Sequence, residues 1–476
     1  MIRSSKHVVA GRASLHDEMA AGDLGDARLN ARRNQVVRTL AEHPDGGFPE
    51  ACGDDSATEG LYRFLRNRRV SLESVLEPHV QASAERCRAV GEVLVIHDTT
   101  EFDFPGEKAR AGLTVMGPDR QAFWMHSALA VSADGLRAPL GVLAATSFVK
   151  KHRGRGSPDV SWRERFRDPA KQSARWHDGV TTVRARLGPE VRAIHVMDRE
   201  GDSYELFAAL HQQAESFIIR IHYDRRLDAT ESLHGVVPTT AWIAERTVAV
   251  ARRDVRHKAI PAHQRHPARA PRLATLRMAA RSVTLPRPPQ CRRDLPAPLS
   301  LNLVYVWEVD PPAGEAPIEW RLLTTAAIDT PAAVEQIVDW YRTRWLIEEF
   351  FKCLKTGCAY ERRQLESLQT LRVALGLFLP IAWHLLLLRH LARTHGDAPA
   401  AAVLTARHLQ LLRVASTRPL SPQPTVGEVL LAIARLGGHL RQNGEPGWLV
   451  LARGMQTLYA MEAGWHAAER ARSDQS

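Results

Sequence analysis

The chain has 476 residues, 44% of them hydrophobic, with a formal net charge of +11 and a pI of about 9.8. That length allows two to four domains and a large core, and the basic balance favours a polyanionic partner such as nucleic acid. The five cysteines (Cys52, Cys87, Cys291, Cys353 and Cys358) are odd in number and lack zinc spacing, so a disulfide framework and a zinc site are both disfavoured. No apolar leader opens the sequence, and reduced thiols in a cytoplasmic protein are expected.

Residues 15–75 predict helices, with Leu24, Leu29, Val36, Val37 and Leu40 at roughly helical spacing. A loop is expected from His43 to Ser56, then a helix from about Thr58 carrying Tyr62, Phe64 and Leu65 among Arg63, Arg66, Arg68 and Arg69. These arginines suit either a solvated face or the phosphates of DNA. Val93–Ile96 predicts a buried strand ending at Asp98, and Phe123–Val131 and Pro139–Ala144 predict two more. A helix over 170–187, a strand over Ile194–Met197 ending at Asp198, a helix over Tyr204–Gln213 and a strand over Ser216–Arg220 follow. The regular order then breaks. Residues 251–300 hold 12 Lys+Arg against 2 Asp+Glu and are rich in proline. Strands are expected at Thr247–Ala251, Arg277–Leu285, Leu301–Val309 and Trp320–Ala326, then one long helix from Pro331 past Lys355. Residues 370–476 read as helical, broken at Arg418–Pro424. Their greasiest run, Val373–Leu391, contains Pro380, His384 and Arg389 and reads as a buried helix, with no membrane role.

Two acids thus close hydrophobic strands and a third, Glu348, lies on a later helix. Three converging carboxylates make a hard-oxygen site suited to Mg²⁺, and two ions about 4 Å apart can drive in-line phosphoryl transfer. At about 100° per residue, Tyr341, Arg344, Glu348, Lys352 and Lys355 fall in one wedge about 80° wide. That stripe sets a carboxylate among cations; the alternative is an exposed helix laced with ion pairs. Asp202 reads as a cap for the following helix and Glu349 as an ion-pair partner. His97 and His195 precede the two aspartates and read as packed side chains on the opposite strand face.

The sequence resembles the IS-four family of bacterial DDE transposases. Tyr341, Arg344, Glu348 and Lys355 match its Y-x2-R-x3-E-x6-K signature, Ile96–Thr100 its first-acid strand end, and Met197–Asp202 its D-R-E-x-D stretch. Glu59–Asn67 resembles its N-terminal DNA-binding segment, and Ala432–Gly438 its C-terminal domain. The resemblance implies an α/β fold: a ribonuclease-H-like catalytic core over 76–380 with a β-rich insertion at about 225–328. Helical domains flank it, 1–75 for DNA binding and 381–476 for dimerisation. It implies that Asp98, Asp198 and Glu348 hold two Mg²⁺ ions, with Mn²⁺ able to substitute. Tyr341, Arg344, Lys352 and Lys355 would grip phosphates, Arg220 would contact DNA, and Trp320 would stack on a flipped base, although Trp320 also reads as a core tryptophan. Arg63 and Arg66 would meet the DNA ends.

The activity implied is cut-and-paste transposition: strand cleavage at inverted-repeat ends, hairpin formation and strand transfer. The partners implied are double-stranded DNA, as transposon ends and target, and a second subunit in a synaptic homodimer. A bacterial, nucleoid-associated location is expected. Two other readings stay open: a stand-alone metal-dependent nuclease, and a DNA-binding regulator without catalysis. Segment 251–300 reads either as a DNA-backbone clamp or as a surface loop.

Overall fold

The computed structural model describes residues 14–150, 172–236, 240–250, 252, 269–291, 294–440, 442 and 444–473. The chain divides into two compact units. Unit 1 takes Met1–Asp159, Asp178–Ala193 and Trp345–Ser476, and unit 2 takes Val160–His177 and Ile194–Arg344.

Unit 1 opens with five helices: α1 (Leu15–Ala20), α2 (Ala27–Glu42), α3 (Phe48–Cys52), α4 (Asp55–Arg66) and α5 (Leu72–Val90). Ser14, Asp26, Asp54 and Ser71 cap α1, α2, α4 and α5 by accepting backbone N–H groups of the first turn. Asp54 accepts from Ala57 at 2.7 Å, so α4 starts earlier than expected. The expected loop over 43–56 contains the short α3, with Pro49 in its first turn and Gly53 closing it at φ 75°.

Four strands follow: β1 (Glu92–Pro105), β2 (Thr114–Gly117), β3 (Arg120–Ser132) and β4 (Pro139–Phe148). β1 and β3 pair antiparallel from Val93↔Ser132 to Pro105↔Arg120. The other edge of β3 takes β2 at 120–122 and β4 at 124–131. Asp98 therefore lies inside a strand of 14 residues rather than at its end. Beyond it, Thr100, Phe102 and Phe104 are buried while Glu101 and Asp103 are not, the alternation of a sheet with one covered face. Val93 and Val95 pack with Ala84, Cys87, Leu140 and Leu143, and with Val183 and Leu187 of α6 (Gln172–Leu187).

A strand β5 (Arg192–Met197) begins in unit 1. There the Arg192 N–H donates to Gly91 O at 2.8 Å and its guanidinium pairs with Glu92. In unit 2, β5 pairs parallel with β6 (Ser216–Arg220) across α7 (Tyr204–Gln212). The sheet continues antiparallel through β10 (Glu319–Thr324), β9 (Leu299–Val309), β8 (Arg272–Leu285) and β7 (Trp242–Val250). The four strands expected here are present with shifted bounds. Of the Arg/Pro-rich segment, residues 251, 253–268 and 292–293 lie outside the described residues.

The expected long helix from Pro331 is broken. α8 (Pro331–Arg342) ends unit 2, and α9 (Trp345–Lys352) reopens unit 1 after a turn at Thr343-Arg344. The Thr343 hydroxyl donates to Asp339 O at 3.0 Å and the Arg344 N–H to Tyr341 O at 3.0 Å, tightening the coil at that point. A π turn then follows over Cys353–Gly357, where the Cys358 N–H reaches Cys353 O at 2.9 Å. The helix drawn through the 80° stripe is therefore interrupted, with Tyr341 and Arg344 in unit 2 and Glu348, Lys352 and Lys355 in unit 1.

α10 (Leu368–Thr394), α11 (Ala406–Ala415), α12 (Val426–Leu436) and α13 (Trp448–Ser473) complete unit 1. α10 is long and apolar enough to cross a membrane, but 89% of its apolar window is buried inside the protein, against α4, α5, β4 and α12. α12 and α13 approach closely at two glycines. A Cβ on Gly454 would lie 1.9 Å from Ile433 O, and one on Gly437 would lie 2.0 Å from Val450 O.

Candidate active site

In unit 1, the buried run Val93–His97 ends at Asp98 and Thr99, both half-buried. Asp98 Oδ1 accepts the Thr99 N–H at 2.7 Å, which orients the carboxylate. The Thr99 hydroxyl lies 3.0 Å from His126 Nδ1, and the buried His97 and His126 rings stack at 5.7 Å. Gly179 of α6 packs on both rings: a Cβ there would sit 3.1 Å from His126 Nε2 and 3.2 Å from His97 Nδ1. The expectation that His97 is a packed side chain agrees with this.

Glu348 is half-buried on α9, which packs against β1 and buries Ile347, Phe350 and Phe351. Its neighbour Glu349 is tied to Arg389 at 3.1 Å and Arg393 at 3.9 Å. Lys352 is exposed. Lys355 instead donates to Glu101 O, lies 3.4 Å from Glu361 and covers the Phe102 ring at 5.6 Å, so it braces the π turn on β1. Glu101 and Asp103 share Arg120, at 2.6 Å each.

In unit 2, Asp198 follows β5 and its Oδ1 accepts the Glu200 N–H at 2.8 Å. Tyr341, 4% exposed, has a hydroxyl that hydrogen-bonds Arg220. Burial pushes the phenol pKa up; Arg344 and Arg220 oppose this and Asp198 reinforces it. Burial pulls the Arg220 pKa down, Tyr341 counteracts, and Arg199 and Arg344 add to the depression. Arg220 also donates to Glu319 O at 2.9 Å, and Trp320 sets its ring edge-on to Tyr341 at 5.3 Å. Unit 2 thus gathers Asp198, Arg220, Trp320, Tyr341 and Arg344 in one neighbourhood. Sequence reasoning missed Arg199, whose signal was its position directly after Asp198.

Asp202 is not the cap of α7. Ser203 takes that role, accepting from Leu206. The buried Asp202 instead accepts the His222 and Tyr223 N–H groups at 2.6 and 2.8 Å and pairs with Arg225 at 2.5 Å. Two backbone donors and a guanidinium outbid a local cap at a buried carboxylate. His195 is buried 3.5 Å from Glu215.

Arg63 and Arg66 stand on the solvent face of α4, opposite the buried Leu61, Phe64 and Leu65. Arg63 pairs with Glu59 at 2.5 Å; Arg66 lies 3.9 Å from Glu366 and 5.7 Å from the Tyr62 ring centroid. Among the described residues, no three His, Cys, Asp or Glu side chains form a group arranged to hold a metal ion.

Comparison with known families gives two matches in chain order. Residues 12–70 match the family described as transposase DNA-binding, and residues 171–381 the family described as transposase DDE domain. The chain carries a transposase DNA-binding domain and a DDE domain. The DDE match includes Asp198 and Glu348 and begins after Asp98. Among solved structures, the chain is similar at 10% identity and a TM-score of 0.32 to one described as a piggyBac transposase synaptic complex with hairpin DNA. That match covers 76% of this chain and 65% of the other, just under two thirds of its length.

Proposed function

We propose that this protein is a DNA transposase of the IS-four family, near its Tn-five member, acting by cut-and-paste transposition. The observation that carries the reading is the ordered pair of family matches, DNA-binding then DDE. The cation-rich neighbourhood of Asp198 supports it, because Arg199, Arg220 and Arg344 around one carboxylate suit a phosphodiester. On this reading, 1–75 reads the inverted repeats, a ribonuclease-H-like core over 76–380 cuts and joins, and 381–476 pairs two subunits in the synaptic complex. The place of action is the bacterial cytoplasm, at the nucleoid.

The donor set fits a hard divalent ion in kind. Asp98, Asp198 and Glu348 offer carboxylate oxygens, and the first two are oriented by backbone N–H groups. Three like charges do not draw together unless cations lie between them. When bound, two Mg²⁺ or Mn²⁺ ions would activate the attacking hydroxyl and stabilise the leaving oxygen. The chain's own residues do the rest. Arg220, Arg344 and Lys352 hold phosphates, Tyr341 orients Arg220, and Trp320 receives a flipped base beside Tyr341. Lys355 reaches a phosphate only by exchanging the Glu101 carbonyl for it. Hydrolysis, hairpin closure, hairpin opening and strand transfer are the same in-line displacement with different nucleophiles.

The test is Glu348→Gln with transposon-end DNA and a target plasmid in Mg²⁺. Nicking and joining should fall by at least about 100-fold, while end binding by Arg63 and Arg66 in EDTA persists. Full activity of the variant would remove Glu348 from the site. Breaks without joined products from the wild type would point to a nuclease.

A further inference from the structure

Asp202 closes the Met197–Asp202 stretch and has no part in the chemistry above, yet its carboxylate is completely buried. Taking a carboxylate out of water is costly unless it is paired and hydrogen-bonded. Here Oδ2 accepts the His222 and Tyr223 N–H groups at 2.6 and 2.8 Å, and Oδ1 pairs with Arg225 at 2.5 Å. Arg225 also donates to Asp202 O at 3.2 Å and lies over the Phe207 ring at 5.3 Å, so the pair is locked from both sides. His222 and Tyr223 themselves are exposed. The bonds from Asp202 therefore hold their backbone and not their side chains.

What that backbone carries follows from where two strands part. β5 and β6 pair as far as Met197↔Ile219. β5 then stops, and Asp198 opens the 3₁₀ turn Arg199–Gly201. β6 runs on along β10: Arg220 pairs with Leu322, and the Ile221 N–H donates to Arg321 O at 2.9 Å. The next donors of β6 need acceptors that β5 no longer supplies, and the Asp202 carboxylate stands in for the missing strand. The turn that brings it there is tight. The Gly201 and Asp202 N–H groups donate to Asp198 O and Arg199 O at 3.1 and 3.2 Å, and a Cβ on Gly201 would lie 3.0 Å from the Met197 Cβ. One turn thus starts at Asp198 and ends at the group that fixes the chain two and three residues beyond Arg220. We propose that Asp202 is a positioning residue for Arg220. By anchoring the end of β6 it holds the guanidinium on Glu319 O and the Tyr341 hydroxyl, in fixed register with Asp198. This rests on the transposase reading and deepens it, because it makes the second acid and its phosphate-holding arginine one rigid unit.

Two measurements on the full chain test this. The first is hydrogen–deuterium exchange of the wild type, without DNA or metal. The His222 and Tyr223 amides should exchange at least about tenfold more slowly than in an unfolded peptide of the same sequence, despite their exposed side chains. Exchange at the unfolded rate would overturn the proposal. The second is a cycle of strand-cleavage rates at saturating transposon-end DNA and Mg²⁺ for Asp202→Ala, Arg220→Ala and the double variant. Asp202→Ala should slow cleavage on the order of 10- to 100-fold through misplacement of Arg220. The double variant should stay within about twofold of Arg220→Ala alone, because an absent guanidinium cannot be misaimed. Losses that multiply would make Asp202 a prop of the fold only, and a full rate for Asp202→Ala would remove it from the site; either result sinks the proposal. Circular dichroism checks folding, and if Asp202→Ala does not fold, Asp202→Asn replaces it in the cycle. The exchange measurement needs neither cleavage nor metal, so its failure stays separable from failure of the Glu348→Gln test.

Discussion

At His79 the two ring nitrogens face different partners. Nε2 accepts the Val142 N–H at 3.1 Å, and Nδ1 faces Glu18 Oε1 at 2.5 Å. Burial holds the His79 pKa down against the pull of Glu18, so the ring is neutral with its proton on Nδ1. Burial would raise the Glu18 pKa, but His79 and Arg86, the latter at 2.6 Å, bring it down to about 2 from 4.5. A carboxylate whose pKa falls on folding contributes stability that is complete above the unfolded value and is lost as pH drops through the folded one. The window here is about pH 4.5 to 2. Glu18→Gln should therefore lower stability at neutral pH by roughly 2–4 kcal/mol, because Arg86 loses its carboxylate partner and keeps only Leu140 O and the Ser83 hydroxyl. It should also flatten the acid slope of the melting temperature within that window. An unchanged slope would mean that other carboxylates set it.

Helix crossings in the C-terminal part rest on backbone contact. In an ordinary helix, Gly→Ala gains up to about 1 kcal/mol. At Gly454 the sign should reverse, because the new Cβ would meet Ile433 O at 1.9 Å. Gly454→Ala should cost about 1–3 kcal/mol, read as a lower melting temperature. Elements of this kind also divide into what the sequence could and could not reveal. The buried strands showed as β-branched runs, and Glu348, Tyr341 and Arg344 showed as motif residues. The continuation of β1 past Asp98 was in fact signalled by the alternation of Thr100, Phe102 and Phe104 with acids, which a strand ending at Asp98 leaves out. Its partner β3 decides it, through pairs such as Phe102↔Phe123. The break after Arg342 carries no glycine or proline; it depends on a threonine hydroxyl bonding back to Asp339 O. The π turn depends on an i to i+5 bond, for which no residue pattern stands. The carboxylates were therefore legible as chemical types, while the bracing of Lys355 on β1 and the pairing of Asp202 with Arg225 needed the fold.

Across the whole molecule, α10 sits beneath helices from both ends of unit 1, with Leu375, Leu377, Phe378, Leu379 and Leu387 all fully buried. A chain ended after Leu404 would lack α11, α12 and α13 and leave part of that surface in water. It should bind the dye ANS and aggregate, whereas an independent C-terminal domain would come away cleanly. Unit 1 is also assembled from three stretches of chain, the last beginning at Trp345. During synthesis, β1 must wait for α9 until the ribosome has added more than two hundred residues, on the order of ten seconds or longer at ordinary elongation rates. A nascent chain in that interval exposes strands and greasy helices without their cover, so co-expression of a chaperone should raise the soluble yield, and an unchanged yield would show that the wait is harmless. It also keeps an unfinished copy from presenting Asp98 and Glu348 together, so on the proposed function a truncated translation product would lack DNA-cutting activity.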